Sequence, residues 1–334
     1  MTTTAAARAR AISTLLGLAA GDALGMPAQT LPRAEARARY GRIERFLAPF
    51  EGHPVSHGLK AAQVTDDTEQ TLLLAKRLIA QPDTFDDAGW ARDLLEWEAE
   101  IRAKGLADLL GPSSRRAIDA LLAGASPEET GKAGTTNGAA MRISPIGLMM
   151  PPSRPALVAR VARTCRVTHN TGEAIAAAAA VAMLISCGIA GQSLEQALSA
   201  ALLACRDGQA LGFAVGEPDM AARIELALTL AEQGEEALIA GIGTSVASRE
   251  SVPVAFGILK LARGDLWTAL VIAANAGDDT DTIGAIVGSM CGALGGTVPA
   301  QAAAQVMAAN DLDIERIADG LLALRAHAVQ GAVA

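Results

Sequence analysis

Aromatic side chains are scarce in this chain of 334 residues, since Phe, Trp and Tyr together make up only 3% of it. Proteins that bind single-stranded nucleic acid usually stack the bases on aromatic side chains, so the composition argues against that class. Positive charge is also in the minority, with 28 Lys and Arg residues against 36 Asp and Glu residues and a formal net charge of −8. A broad surface for nucleic acid or an anionic membrane is therefore not expected.

Cysteine is rare as well, and no two cysteines have the C-x-x-C spacing of a redox or zinc motif. Three of the four cysteines lie in apolar segments with a helical pattern. We therefore predict reduced, buried thiols in a cytoplasmic protein. The four are Cys165, Cys187, Cys205 and Cys291.

Long runs of strong hydrophobes are missing too. The longest apolar stretch, residues 174–191, is mostly alanine and contains Ser186 and Gly188, so it predicts a buried helix rather than a bilayer span. Arg8 and Arg10 precede another apolar stretch, as in a targeting peptide, but no convincing cleavage site follows. We predict that this N-terminal stretch is the first helix.

Sustained alternation with period two, the mark of a half-buried strand, is absent, whereas the 3.6-residue period of helices recurs throughout. No segment resembles a flexible interdomain linker. We therefore predict an all-α fold and a single compact multi-helix domain over residues 1–334. Two helix starts, Ser193-x-x-Gln196 and Asp66-x-x-Glu69, fit the capping-box pattern. The predicted helices cover roughly residues 5–24, 33–40, 67–80, 84–104, 113–124, 155–166, 171–190, 193–206, 218–233, 252–263, 265–275, 281–295, 300–309 and 312–329.

A stripe of glycines marks one predicted helix near the C-terminus. Gly284, Gly288 and Gly292 recur every four residues. Because glycine costs a helix about 1 kcal/mol relative to alanine, this stripe predicts a second helix packed closely against the same face. Chance spacing in a chain rich in small residues is the alternative.

Two acidic clusters, far apart in the chain, each stand at the start of a predicted helix. The first is Thr-Asp-Asp-Thr at residues 65–68, and the second is residues 277–284, which contain Asp278, Asp279 and Asp281. Asp and Thr commonly cap helices, but one or two side chains suffice for that purpose and further carboxylates would repel one another. A bound cation would remove the repulsion.

Four of these carboxylates would balance two divalent ions. Oxygen ligands favour Mg²⁺ or Mn²⁺ over zinc, so we predict two Mg²⁺ or Mn²⁺ ions shared by the two clusters. The predicted ligands are Thr65, Asp66, Asp67, Asp279, Asp281 and Thr282. A capping cluster without metal is one alternative. Another is the Asp-x-Asp nucleophile motif of haloacid-dehalogenase-like phosphatases, but that motif follows a strand near the N-terminus and does not suit this late helical position.

Five short motifs, in a fixed order, make the chain resemble the ADP-ribosylglycohydrolase family. Each motif alone is weak, but together they span residues 17–296. The resemblance implies an all-helical fold and a binuclear Mg²⁺ or Mn²⁺ centre, held by the same six ligands, that cleaves the bond at the anomeric carbon of a ribose. The motifs are Gly21-Asp22-Ala23-Leu24-Gly25, Thr65-Asp66-Asp67-Thr68, Asn137-Gly138-Ala139-Ala140-Met141-Arg142, Thr168-His169 and Gly277 to Gly284.

The resemblance also implies substrate contacts. Asn137, Gly138 and Met141 would hold the ribose and diphosphate, although a tight turn before a helix at 143–149 explains the same loop. His169 would contact the substrate, or else cap the helix that follows.

Catalytic carboxylates are implied in the same way. Asp108 would join Asp66, Asp67 and Asp281 in acid–base chemistry, although a solvated Asp at a helix end is the alternative for Asp108. Asp22 would support the metal cluster, or else it is a buried, hydrogen-bonded Asp.

One position departs from the family pattern. Relatives have glutamate four residues after Gly25, whereas this chain has Gln29, which we also place in the substrate site. Gln cannot act as a base, so another carboxylate transfers the proton, or the substrate differs, or the protein binds without turnover. His53 and His57 are metal ligands in principle, but Pro54 disfavours a helix that presents both, and solvated loop histidines are the alternative.

We therefore expect a metal-dependent glycohydrolase acting on ADP-ribosylated side chains or free ADP-ribose conjugates. Hydrolysis of small N-ribosides or nucleosides, and ADP-ribose binding without catalysis, are the alternatives. The expected partner is a small-molecule or ADP-ribosylated substrate, with neither nucleic acid nor membrane, and the sequence leaves the oligomeric state open.

Overall fold

The computed structural model describes residues 4–106 and 110–331. Within these ranges the chain forms helices, and its only β-pairings are three isolated bridges. The predicted all-α class is confirmed. The helices are α1 (Ala5–Gly25), α2 (Arg33–Tyr40), α3 (Asp66–Ala80), α4 (Asp87–Ala103), α5 (Pro112–Leu122), α6 (Pro127–Thr130), α7 (Gly138–Met141), α8 (Ser144–Met149), α9 (Arg154–Cys165), α10 (Gly172–Ile189), α11 (Leu194–Gln209), α12 (Met220–Ala231), α13 (Glu235–Ile242), α14 (Ser248–Leu261), α15 (Leu266–Ala274), α16 (Thr280–Ala293), α17 (Ala300–Asn310) and α18 (Ile314–Gly331).

Helix α10 is the core of the fold, since all of its residues are buried. It packs against α8, α9, α11, α14 and α16. By length and composition α10 could cross a membrane, as could the segment Ala5–Ala28, but protein covers all of α10 and 83% of the N-terminal window. The prediction of a buried helix within 174–191 is confirmed, and so is that of a first helix at the N-terminus.

The cysteines lie inside this core. All four are buried and free, as predicted. Burial raises the pKa of the Cys165, Cys205 and Cys291 thiols to about 12, so these thiols are protonated and poorly nucleophilic.

Helices α1 and α16 form a closely packed pair along the predicted glycine stripe. A Cβ atom on any glycine of the stripe would lie closer than 3.0 Å to a backbone carbonyl oxygen of α1. Only a hydrogen atom fits there, which explains why glycine is tolerated inside the helix and confirms the predicted contact. The facing pairs are Gly284 with Gly21, Gly288 with Gly17 and Gly292 with Ser13.

Other helix starts differ from the prediction for identifiable reasons. Helix α14 begins at Ser248 rather than near 252 and carries Pro253 inside it. Proline cannot donate to the carbonyl of Arg249, four residues earlier, but Arg223 Nε donates to that carbonyl at 2.7 Å instead. The predicted capping box that begins at Ser193 is present. The short helices α6 and α7, and α13, were not predicted.

Candidate metal and substrate site

The two acidic clusters lie side by side. Asp67 is in the first turn of α3, Asp281 is in the first turn of α16, and Asp22 reaches the same point from α1. One carboxylate oxygen of each of these three residues lies within 4.8 Å of the others. The α1–α16 contact produces this arrangement, because it holds the end of α1 beside the start of α16, where the Thr280 hydroxyl donates to the carbonyl of Gly25 at 2.8 Å.

Asp22 holds the N-terminus of α3. Its carboxylate accepts hydrogen bonds from the backbone N–H groups of Thr65 at 3.0 Å and Thr68 at 3.1 Å, and from both threonine hydroxyls. These bonds replace the side-chain cap that α3 lacks, and a negative charge is favourable at a helix N-terminus. The predicted capping box from Asp66 to Glu69 is therefore wrong. Because four donors already occupy the carboxylate oxygens of Asp22, we assign this residue a supporting role beside the other carboxylates of the cluster.

Two carboxylate oxygens of the cluster lack a donor. Asp67 Oδ1 and Asp281 Oδ1 are buried, and no group in the described part of the chain donates to them. Asp67 Oδ2 accepts from the hydroxyl of Thr282 at 3.3 Å, and it also lies 3.3 Å from the hydroxyl oxygen of Thr65, whose hydrogen goes to Asp22. Burying a carboxylate without a donor is costly, and a cation bound between the two free oxygens would offset that cost. An all-oxygen donor set suits Mg²⁺ or Mn²⁺, so these residues fit the predicted metal.

The carboxylates also raise one another's pKa. Burial is the largest cause for Asp66, Asp67 and Asp281, and the charges of neighbouring aspartates raise the pKa of each further, well above its usual range. Burial raises the pKa of Asp22 and Asp279 to about 6, against hydrogen bonds that lower it. A cluster of this kind disfavours full ionisation unless a positive charge joins it.

Asp279 lies at the N-cap of α16. The side-chain amide of Asn137 donates to Asp279 Oδ2 and, at 2.9 Å, to Ser251 Oγ. The preceding residue, Asp278, has a positive φ of 54° and forms a β-bridge with Leu31, which turns the chain into α16. Asn137 thus lies directly beside one of the predicted metal ligands.

A cavity of about 230 Å³ opens above the carboxylates. Most of the residues predicted from the sequence to bind substrate or metal face it. Thr65 and Asp67 are not among its lining residues, because both are buried beneath it. The lining residues are Gln29, Thr30, Val55, Asp66, Leu110, Gly111, Pro112, Ser114, Thr136, Asn137, Gly138, Met141, Val246, Asp279, Asp281 and Thr282.

His169 lies behind the cavity wall. It is fully buried and is not among the residues that line the cavity. Its ring packs against Gly138, where a Cβ atom would lie 2.8 Å from His169 Cε1, and its Nε2 contacts the Thr136 hydroxyl at 3.0 Å. Burial, with the charge of Arg142 next, holds the pKa of His169 well below its usual range, so the ring is neutral. In this position His169 shapes the loop that carries Gly138.

Two further sequence expectations concern loops near the cavity. Asp108 lies outside the described residues, although Leu110 and Gly111, just beyond it, line the cavity. His53 is buried rather than solvated, and its Nδ1 accepts from the backbone N–H of Ser56 at 2.9 Å. No carboxylate of the acidic cluster contacts His53 in the part of the chain that the structure describes.

Arg142 is a buried charged residue near the site to which the sequence reasoning gave no role. Its guanidinium is fully buried, donates to Gln70 Oε1 at 2.6 Å and also donates to the Thr168 hydroxyl. Burial lowers its pKa to about 10, while the carboxylates of Asp66 and Asp67 act in the opposite direction. Arg142 therefore stays charged and supplies a fixed positive charge behind the acidic cluster. A lone arginine between apolar residues was the signal that could have identified it.

The protein therefore belongs to the class of all-helical proteins in which carboxylates from separate helix N-termini meet beneath a cavity. The sequence profile of the ADP-ribosylglycohydrolase family matches residues 3–330. The chain belongs to this family, and the resemblance seen in the five motifs is confirmed.

Individual relatives agree with that assignment. The uncharacterized protein YegU of Escherichia coli is 35% identical over 95% of this chain and 97% of its own length. An ADP-ribosylarginine hydrolase of Pseudomonas putida is 27% identical over 86% of this chain and 71% of its own. A solved structure of an ADP-ribosylglycohydrolase-related protein complex superposes with a TM-score of 0.68 at 26% identity, covering 96% of this chain and 99% of that one.

Proposed function

We propose that this protein is a hydrolase that depends on two Mg²⁺ or Mn²⁺ ions and cleaves the bond at the anomeric carbon of ribose in ADP-ribosyl conjugates. The observation that carries the proposal is the pair of buried oxygens without donors, Asp67 Oδ1 and Asp281 Oδ1, beneath a cavity. We assign the metal to these two residues together with Thr65, Asp66, Asp279 and Thr282. Family membership supports glycosidic-bond hydrolysis.

The bound ions would supply Lewis-acid polarisation and help to activate water. The carboxylates of the chain itself stabilise the charge that develops during the reaction. Cleavage at the anomeric carbon builds positive charge on the ribose, and a preorganised set of carboxylates stabilises that charge. Asp66, Asp279 and Asp281 face the cavity and are placed for this role.

Proton transfer falls to Asp66 in this proposal. It lines the cavity, and from the described residues it accepts a single long hydrogen bond, at 3.3 Å from Gln70 Nε2, so its other carboxylate oxygen is free to take a proton. Asp108 remains the second candidate for this step. Gln29 replaces the carboxylate of the family pattern and serves as a neutral contact for the substrate, along with Asn137, Gly138 and Met141.

The test is a substrate panel in the presence of Mg²⁺ or Mn²⁺. ADP-ribosyl-arginine, ADP-ribosyl-serine, O-acetyl-ADP-ribose and simple nucleosides are incubated with the protein, and the released sugar is measured. We expect turnover of at least one ADP-ribosyl conjugate, its loss in EDTA, and its loss in Asp67→Asn. Equal rates for Asp67→Asn and wild type would overturn the mechanism.

A second candidate is a hydrolase of small N-ribosides on the same site. The cavity of about 230 Å³ favours it, because sites for larger ligands typically enclose about 300 to 1,000 Å³. Turnover of nucleosides alone in the same panel would select this candidate. If wild type binds ADP-ribose but hydrolyses nothing, the protein is a binding relative. We further propose a cytoplasmic location, which cell fractionation tests.

A further inference from the structure

A hydrogen-bond relay fixes the orientation of the Gln29 side-chain amide. Gln29 Nε2 donates to Ser56 Oγ at 2.7 Å, and Ser56 Oγ donates to the carbonyl of Met26 at 3.1 Å. A hydroxyl has one hydrogen, so once Ser56 gives it to Met26 its oxygen can only accept from Gln29. The amide NH₂ group must therefore face Ser56. The remaining amide atom, Oε1, has no donor among the described residues and is left for the cavity that Gln29 lines.

The relay is buried and rigidly held. Met26 and Ser56 are fully buried, and Gln29 is only 6% exposed. The turn that carries Ser56 is fixed by His53, whose Nδ1 accepts from the backbone N–H groups of Val55 at 3.2 Å and Ser56 at 2.9 Å. Because Nδ1 accepts, the proton of the neutral ring is on Nε2.

The side-chain amide of Asn137, which also lines the cavity, is oriented by hydrogen bonds in the same way. The NH₂ group of Asn137 donates to Ser251 and to Asp279, so its Oδ1 is the atom that remains for a ligand. Both cavity amides therefore offer an acceptor oxygen, whereas both N–H groups of Asn137 and one of the two N–H groups of Gln29 are already bonded to the protein. A wall of this kind favours a ligand that brings hydroxyl or N–H groups.

We infer that Gln29 is a specificity-determining acceptor, which takes a hydroxyl or N–H hydrogen of the ribosyl conjugate, and that Ser56 is its positioning residue. Glutamate at position 29 would claim the Ser56 hydrogen and leave the buried Met26 carbonyl with only the long bond, at 3.4 Å, from the backbone N–H of residue 29. The hydrogen-bonding groups around position 29 therefore suit an amide better than the carboxylate of the family pattern. Only the identity of the ligand in this inference rests on the proposed function.

A double-mutant cycle tests the relay without any activity assay. Ser56→Ala, Gln29→Met and the double variant are unfolded by denaturant alongside wild type. Each single variant breaks the hydrogen bond between Gln29 and Ser56, whereas the double variant loses that bond once. We expect the equilibrium constant for unfolding of the double variant to be about tenfold lower than the value obtained by multiplying the increases that the two single substitutions cause. Additive effects would show that no relay exists.

Ligand measurements test the acceptor role. With Mg²⁺ present, Ser56→Ala should raise the Kd for ADP-ribose, or the KM for ADP-ribosyl-arginine, about three- to tenfold with kcat unchanged. A change for both ligands assigns the donor to a ribose hydroxyl, and a change for the conjugate alone assigns it to the leaving-group N–H. Ser289→Ala is the matched control, because Ser289 is buried, donates to the Ile286 carbonyl at 2.7 Å and does not line the cavity.

The outcomes separate the two proposals. Unchanged Kd and KM in Ser56→Ala would overturn the acceptor role of Gln29 even if the stability cycle shows coupling. If wild type neither binds ADP-ribose nor hydrolyses any conjugate, the proposed function fails, and the denaturation cycle still decides whether the relay exists.

Discussion

Replacing Asp281 by asparagine should stabilise the protein when no metal is present. Carboxylate oxygens of Asp22, Asp67 and Asp281 lie within 4.8 Å of one another in a buried site. At an effective dielectric constant of about 20, two unit charges 4.8 Å apart repel by about 3.5 kcal/mol, and the protons that the cluster takes up reduce this repulsion. The asparagine NH₂ group would in addition offer a donor to Asp67 Oδ1, which has none.

The assay is thermal unfolding in EDTA and then in excess Mn²⁺ or Mg²⁺. In EDTA we expect Asp281→Asn to melt about 2 to 5 °C above wild type. Metal at about 100 times its Kd should stabilise wild type by about 2.7 kcal/mol, and this gain should vanish in the variant. The matched control is Asp265→Asn, since Asp265 caps α15, lies outside the cluster and can keep its cap as asparagine.

Two results would refute this reasoning. A lower melting temperature for Asp281→Asn in EDTA would mean that the aspartates do not repel one another in the folded protein. A full metal-induced rise in the same variant would mean that the ion binds elsewhere. Either result would remove the basis for a metal between the two helix N-termini.

Three other outcomes are expected. Gly21→Ala should destabilise the protein by about 3 kcal/mol in denaturant unfolding, because its Cβ meets the α16 backbone, whereas Gly320→Ala, which meets only the flexible end of Ile79, should cost less than about 1 kcal/mol. Arg142→Met should lower the free energy of unfolding by about 3 kcal/mol, since Gln70 Oε1 loses its charged donor; an unchanged stability would contradict the role of Arg142 as a buried support. In EDTA the folded protein holds a proton on Asp279 up to about pH 6, above the range of the unfolded chain, so folding binds protons and stability should fall as pH rises from about 4 to 6. Asp279→Asn should flatten that slope in pH-dependent unfolding, and an unchanged slope would contradict the burial of this carboxylate.

The fold class and the proximity of the two acidic clusters could be predicted because each leaves a local pattern in the sequence. The 3.6-residue period marks the long helices, and the stripe from Gly284 to Gly292 makes sense only against a second backbone. Which helix supplies that backbone depends on tertiary packing, which the stripe alone does not reveal. The predicted cap between Asp66 and Glu69 failed for the same reason. Asp22, distant in sequence, caps α3 instead, and Glu69 accepts from Trp97 Nε1 at 2.8 Å.

The orientation of the cavity side chains could not be predicted from residue types. Nothing in the sequence shows that Ser56 fixes the Gln29 amide, because their contact depends on how the loop before α3 folds back onto the end of α1. His169 illustrates the same limit. Its place in the motif suggested direct substrate contact, whereas its burial behind Gly138 is set by the packing of the loops around it.

The glycine contact between α1 and α16 has a consequence for biosynthesis. Thr280 and Gly25, which bond across this contact, are 255 residues apart in the chain. Translation proceeds from the N-terminus, so the face of α1 that receives α16 stays uncovered on the ribosome until nearly the whole polypeptide has emerged. A nascent chain stalled before residue 279 therefore lacks both Asp279 and Asp281, so the two acidic clusters can meet only late in synthesis.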